Sequence, residues 1–233
     1  MSKGKTTTHR QSVLRQTLVQ LTHLHSMWRS EATGDSADLI ARVAGLCPAY
    51  EEDELDGVLG SSPQTFSTSE NRYIFLEPVL ETEKMLPVMA VKYDFGKRVP
   101  ELRLRLTLFR IHNSQLHAFG LRFETPESNH DHKYYHAQLM PPLNGLTLPT
   151  GFQPWVPETQ PCLVLYVEDE ISLLACVLVS VYGLERAERF LVESQFGTLI
   201  RGHVKGMPWI DSDARAGSRY ETDDAGRWRR KKP

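Results

Sequence analysis

The stretch ELRLRLTLFRI, residues 101 to 111, constrains the fold more than any other part of the chain. Leu102, Leu104, Leu106 and Leu108 alternate with Arg103, Arg105 and Thr107. This period of two defines a β-strand with one apolar face and one polar face. The turn HNSQ follows, and LHAFGLRFE repeats the alternation through Phe119, Leu121 and Phe123, so the two runs read as a β-hairpin. Upstream, RYIFLEPV and LPVMAVKYDF are short β-prone runs bounded by prolines, and Gly96 closes the second. Residues 72 to 140 therefore predict a meander of about five strands, antiparallel wherever short turns join them, with one face packed on helices.

The flanks have helical character. Leu14, Leu18, Leu21, His25 and Trp28 recur at three- and four-residue intervals and predict an amphipathic helix over 11–29, in which His23 and His25 have polar-face or boundary roles. A second helix is expected from an Asp35 or Ser36 cap through Val43, with Gly45 beyond its end. EEDELDG reads as a solvated helix face or loop, and the Ser/Thr-rich Gly60–Asn71 as a linker. MPPLNGLTLPTGFQPWVPETQP, residues 140 to 161, is proline-rich yet holds apolar residues to bury, which implies an irregular crossing. From an Asp169 cap, ISLLACVLVSVYG reads as a core helix ending at Gly183, followed by the more polar helix LERAERFLVESQFG. The expected architecture is α+β, a central antiparallel β-meander packed on a buried C-terminal helix pair with a small N-terminal helical region. Its domain limits are 1–59 for the helical region, 60–71 for the linker, 72–210 for the core and 211–233 for a flexible basic tail.

The 40% hydrophobic and 24% charged composition of 233 residues suits a core of this size. The longest apolar run, Ile171 to Val181, is too short to cross a bilayer, and no apolar segment follows MSKGKTTTHR, so a cytoplasmic protein without membrane contact is expected. Cys47, Cys162 and Cys176 have no C-x-x-C spacing and read as buried free thiols.

The densest chemistry is NHDHKYYHAQL, residues 129 to 139, with His130, His132 and His136. On a strand these three share a face with Tyr134, but at a rise of ~3.3 Å per residue His130 and His132 are ~7 Å apart and His136 lies ~13 Å beyond His132. One metal could take His130 and His132, the weak candidate ligands, with a carboxylate such as Glu124 or Asp131. On a helix His132 and His136 would approach within ~5 to 6 Å, yet Lys133 occupies the place of the glutamate in H-E-x-x-H. A metal-free ribonuclease centre would take its acid and base from His130, His132 and His136, and its phosphate-binding cation from Lys133, Arg122 or Arg105. Arg103 and Arg105 are better placed for that cation on the outward face of their strand, and Tyr134 or Tyr135 could stack a base. The plainest reading is a polar, solvent-facing strand. No phosphate-loop, dinucleotide or nucleophile-elbow motif occurs, so no cofactor and no ATP chemistry are expected.

Charge is distributed unevenly. Lys3, Lys5 and Arg10 lie at one end and Arg227, Arg229, Arg230, Lys231 and Lys232 at the other; these eight of 27 cations leave 19 against 29 acids in the body. RWRRKKP places Trp228 among the five tail cations, an arrangement suited to phosphates and a stacked base. The block from YYHAQL through QPWVPETQP to SLLACVLVSVYG resembles uncharacterised bacterial proteins from mobile-element or antiviral gene neighbourhoods, over at most residues 100 to 185. That resemblance implies a nucleoprotein-linked role and no catalytic residues. The resulting expectation is a non-ATPase accessory subunit of a bacterial nucleic-acid-handling or antiviral defence complex, with RNA or DNA and a protein partner. Arg103, Arg105, Arg122, Arg227, Trp228, Arg229, Arg230, Lys231 and Lys232 would make the nucleic-acid contacts. The alternatives are a histidine-dependent ribonuclease or toxin and a structural interaction subunit that presents Trp155 or Trp209.

Overall fold

The computed structural model describes residues 3–61, 63–68, 72–79, 85–97, 100–126, 135–140, 162–165, 167, 169–193, 220–222 and 228–230. Three helices come first: α1 (Lys3–Glu31), α2 (Asp35–Leu46) and α3 (Glu52–Gly60). α1 buries the expected stripe of Leu14, Leu18 and Leu21, and adds Thr17 and Thr22, whose hydroxyls donate back to the carbonyls of Val13 and Leu18. α2 begins after Gly34, at φ 58, and Asp35 and Asp38 lie in its first turn, where carboxylates suit the helix dipole. It runs past Gly45 to Leu46, beyond the expected end at Val43. A helical glycine costs about 1 kcal/mol, and the burial of Leu39, Ile40 and Val43 offsets that cost. The acidic run forms α3, with Leu55 and Leu59 buried.

The strands are β1 (Thr65–Ser67), β2 (Ile74–Phe75), β3 (Met85–Asp94), β4 (Glu101–His112), β5 (Gln115–Glu124), β6 (His136–Met140) and β7 (Cys162–Val164). They form one sheet in the order β1-β3-β4-β5-β6-β7, with β2 also on β3, and every pairing is antiparallel. The α+β class and the meander are thus present. β1 lies inside the stretch expected as a linker and pairs Thr65 with Asp94. Residues Met1–Leu174 make up one compact unit, so the expected boundaries at 59/60 and 71/72 fall within it.

The β4–β5 turn has two residues, Asn113 at φ 50 and Ser114 at φ 61. Two successive left-handed residues match the twist of a tight hairpin, and the Arg42 side chain of α2 donates to the Ser114 carbonyl at 3.1 Å. Pairing then runs without a bulge from His112↔Gln115 to Arg103↔Glu124.

That register sorts one sheet face into successive cross-strand rungs. Leu86, Phe109 and Ala118 form a rung next to the turn, followed by Val88 and Thr107 with Gly120 and Met140. Next come Ala90, Arg105, Arg122 and Gln138, then Lys92, Arg103, Glu124 and His136, and last Asp94 with Glu101. α2 packs Leu39, Ile40, Val43 and Cys47 against Leu86, Val88, Phe109, Leu116 and Ala118 of this face. Thr107, expected on a polar side, is therefore buried. The face passes from apolar core through a cationic rung to an acidic rim. On the opposite face Met89, Val91, Tyr93, Leu102, Leu104, Leu106 and Phe123 are buried.

α4 (Glu170–Glu193) is capped as expected: the Asp169 carboxylate accepts the Ser172 N–H at 2.8 Å, and its carbonyl accepts the Leu173 N–H. The helix continues through Gly183, where an end was expected, and is the one C-terminal α-helix among the described residues. A second compact unit, Ala175–Pro233, holds the rest of α4 and an antiparallel ribbon of β8 (Tyr220–Thr222) and β9 (Trp228–Arg230). Trp228, Arg229 and Arg230, expected in a flexible tail, thus lie on a paired strand. Among the described residues no helix is long and apolar enough to cross a membrane.

Candidate functional site

Directly opposed residues of an antiparallel pair have side chains about 5 Å apart at Cβ, so the two polar rungs bring Arg103, Arg105, Arg122, Glu124, His136 and Gln138 together across three strands. Glu124 is the centre. It is 3% exposed, and its carboxylate contacts Arg103 Nε through Oε1, Arg122 Nε at 2.9 Å and His136 Nε2 at 3.2 Å through Oε2. Arg122 Nη2 also donates to Gln138 Oε1. Such neighbours offset the burial of the carboxylate, because an unpaired buried charge is costly.

Arg105 stands apart from this network. It is half-buried beside Ala90, at the border of the α2-packed core. Among the described residues no hydrogen bond or ion pair engages its guanidinium. Burial lowers its pKa first, then the positive charges of Arg122 and Arg103, against which Tyr73 and Glu124 compensate in part. Like charges directly opposite in a sheet destabilise it, and Arg105 lies directly opposite Arg122. The recess lined by Lys92, Asp94, Glu101, Arg103, Glu124 and Thr125 lies one rung away and carries three carboxylates against two cations. The Arg105–Arg122 rung itself carries two cations and no carboxylate.

His136 is 1% exposed. The solvent-facing strand expected here is buried at this position, because β6 sits between β5 and β7 and turns His136 onto Glu124. His130, His132 and Tyr134 lie outside the described residues, as do Arg227, Lys231, Lys232, Trp155 and Trp209. Glu124, weighed in the sequence as a metal ligand, instead holds two arginines and a histidine. Among the described residues no group of three or more His, Cys, Asp or Glu could hold a metal ion.

His23, His25, His112 and His117 each have local contacts. His23 Nδ1 meets Glu52 Oε2 at 2.7 Å, and His112 and His117 stack edge to face at 5.8 Å. His25 was expected at a polar boundary but is 3% exposed. Its Nδ1–H donates to the Leu76 carbonyl at 3.1 Å, its ring meets Phe75 edge-on at 5.3 Å, and Nε2 has no partner. Burial lowers its pKa to about 4. Burial likewise pushes the Cys47 thiol up to about 12, so this thiol is inert at neutral pH.

The chain matches no known protein family, no curated protein and no solved structure.

Proposed function

We propose that the Arg105–Arg122 rung takes phosphate groups of RNA or DNA, and that the protein is a non-ATPase accessory subunit of a bacterial nucleic-acid-handling or antiviral defence complex. The observation that carries this reading is Arg105: a half-buried guanidinium, opposed by a second one, without a carboxylate of its own. An arginine fork suits phosphate geometry, and a phosphate seated there would relieve the repulsion between the two. The acidic rim of Asp94 and Glu101 repels phosphates, which steers a bound strand away from that edge of the sheet. Arg227, Arg229, Arg230, Lys231 and Lys232, with Trp228, supply a second contact through charge and stacking. The sequence resemblance over residues 100 to 185 supports the choice of complex. A buried His136 locked on Glu124 favours a structural role for that residue over acid–base catalysis.

The test is gel-shift binding of mixed-sequence RNA and DNA at low salt to the wild type, Arg105→Gln and a chain lacking residues 227 to 233. Both variants are expected to weaken binding about tenfold or more, with binding lost as salt rises. Absence of any low-salt binding by the wild type refutes the reading.

A further inference from the structure

We infer that the arginine rung is built for a phosphomonoester, which in a nucleic acid is the phosphate at a strand end, rather than for the diesters along the backbone. The inference rests on the nucleic-acid reading above and narrows its ligand.

Three features of the rung lead there. The first is charge. Among the described residues the two polar rungs carry Lys92, Arg103, Arg105 and Arg122 against the carboxylate of Glu124, an excess of three positive charges that Asp94 and Glu101 offset in part from the rim. A monoester carries close to two negative charges at neutral pH, whereas a backbone diester carries one. The second is the number of acceptors. A monoester presents three terminal oxygens, enough for the Arg105 fork and for the arm that Arg122 does not direct to Glu124 or Gln138. A diester gives two of its four oxygens to ester bonds.

The third is access. Gln138 and His136 are buried beside the two arginines, and the apolar rung of Val88 and Thr107 closes the side toward α2. Arg105 is itself half-buried at this core border, beside Ala90. A chain passing through would have to bring sugars on both sides of the phosphate down to the sheet, while a chain end brings a sugar on one side only. The uncharged neighbours Ala90 and Gln138 leave no carboxylate on the rung itself to oppose a dianion.

The experiment is isothermal titration calorimetry of the full chain at pH 8 and low salt. The titrants are a short single strand phosphorylated at its 5′ end, the same strand phosphorylated at its 3′ end, the same strand with two hydroxyl ends, and inorganic phosphate alone. An end-phosphorylated strand is expected to bind about tenfold tighter than the hydroxyl strand, and Arg105→Gln to abolish that preference. Arg105→Lys, which keeps the charge without the fork, is expected to retain binding of the hydroxyl strand and lose most of the preference. Equal affinity for phosphorylated and hydroxyl strands overturns the end-phosphate assignment while leaving nucleic-acid binding in place. Binding of inorganic phosphate with no binding of any strand upholds the monoester site and refutes the nucleic-acid reading beneath it. No heat with any titrant refutes both.

Discussion

Acidification should destabilise this protein through His25. The ring is buried, donates from Nδ1 to Leu76 and leaves Nε2 without a hydrogen-bond partner, so the second N–H of the charged form has no acceptor. Burial and the Arg29 charge lower the pKa from 6.5 to about 4, against the Leu76 bond and Glu51. The unfolded chain therefore binds a proton that the folded chain refuses throughout the interval between these values. Stability from this group is complete above pH 6.5, falls as pH drops through that interval, and levels off below the folded value. The loss works out at about 2 kcal/mol between pH 7 and pH 5 and about 3 kcal/mol by pH 4. Urea denaturation of the wild type and His25→Phe at both pH values isolates it. Phenylalanine keeps the ring packing against Phe75 and forfeits one hydrogen bond, at a pH-independent cost of about 1 kcal/mol. The wild type should lose about 2 kcal/mol more than the variant on going from pH 7 to pH 5. Parallel losses in the two proteins would refute a neutral, buried His25.

Glu124→Gln should destabilise the fold by about 3 kcal/mol, since it leaves Arg103, Arg122 and His136 facing one another without their carboxylate; thermal unfolding at pH 7 checks it. Arg105→Gln should behave in the opposite way, with unchanged stability or a gain of up to about 1 kcal/mol, because it relieves the repulsion across the Arg105↔Arg122 pair. A loss above about 1 kcal/mol by the same melt would show that Arg105 is structural. Ser114→Gly should stabilise the hairpin by about 1 kcal/mol, as glycine accepts the left-handed backbone at φ 61 without strain; a lower urea midpoint would contradict the turn geometry.

The β4–β5 hairpin is legible in the sequence because a strict period of two meets a polar turn. Once Asn113 and Ser114 are taken as the two turn residues, counting outward places Arg103 opposite Glu124 and Arg105 opposite Arg122. The centre of the site is thus legible in the sequence of the hairpin alone. His136 was not reachable in the same way, since ten or more residues separate β5 from β6 and no turn fixes their register. Thr107 and Arg105 look equivalent in the alternation, but α2 lands on only half of the face, and nothing local to β4 announces where a helix will pack. β1 was hidden by its Ser- and Thr-rich composition. Thr68 in fact extends the edge, its hydroxyl accepting the Val91 N–H at 3.1 Å. Gly45 and Gly183 pointed to helix ends that burial of neighbouring side chains and helix continuation overrode.

The central claim is that Arg105 meets a nucleic-acid phosphate. It is tested most directly by the salt dependence of single-strand affinity for the wild type and Arg105→Gln, measured by fluorescence anisotropy. If Arg105 neutralises one phosphate, the variant binds more weakly, and the slope of log affinity against log salt is shallower by about one contact. Coincident lines for the two proteins would contradict the account.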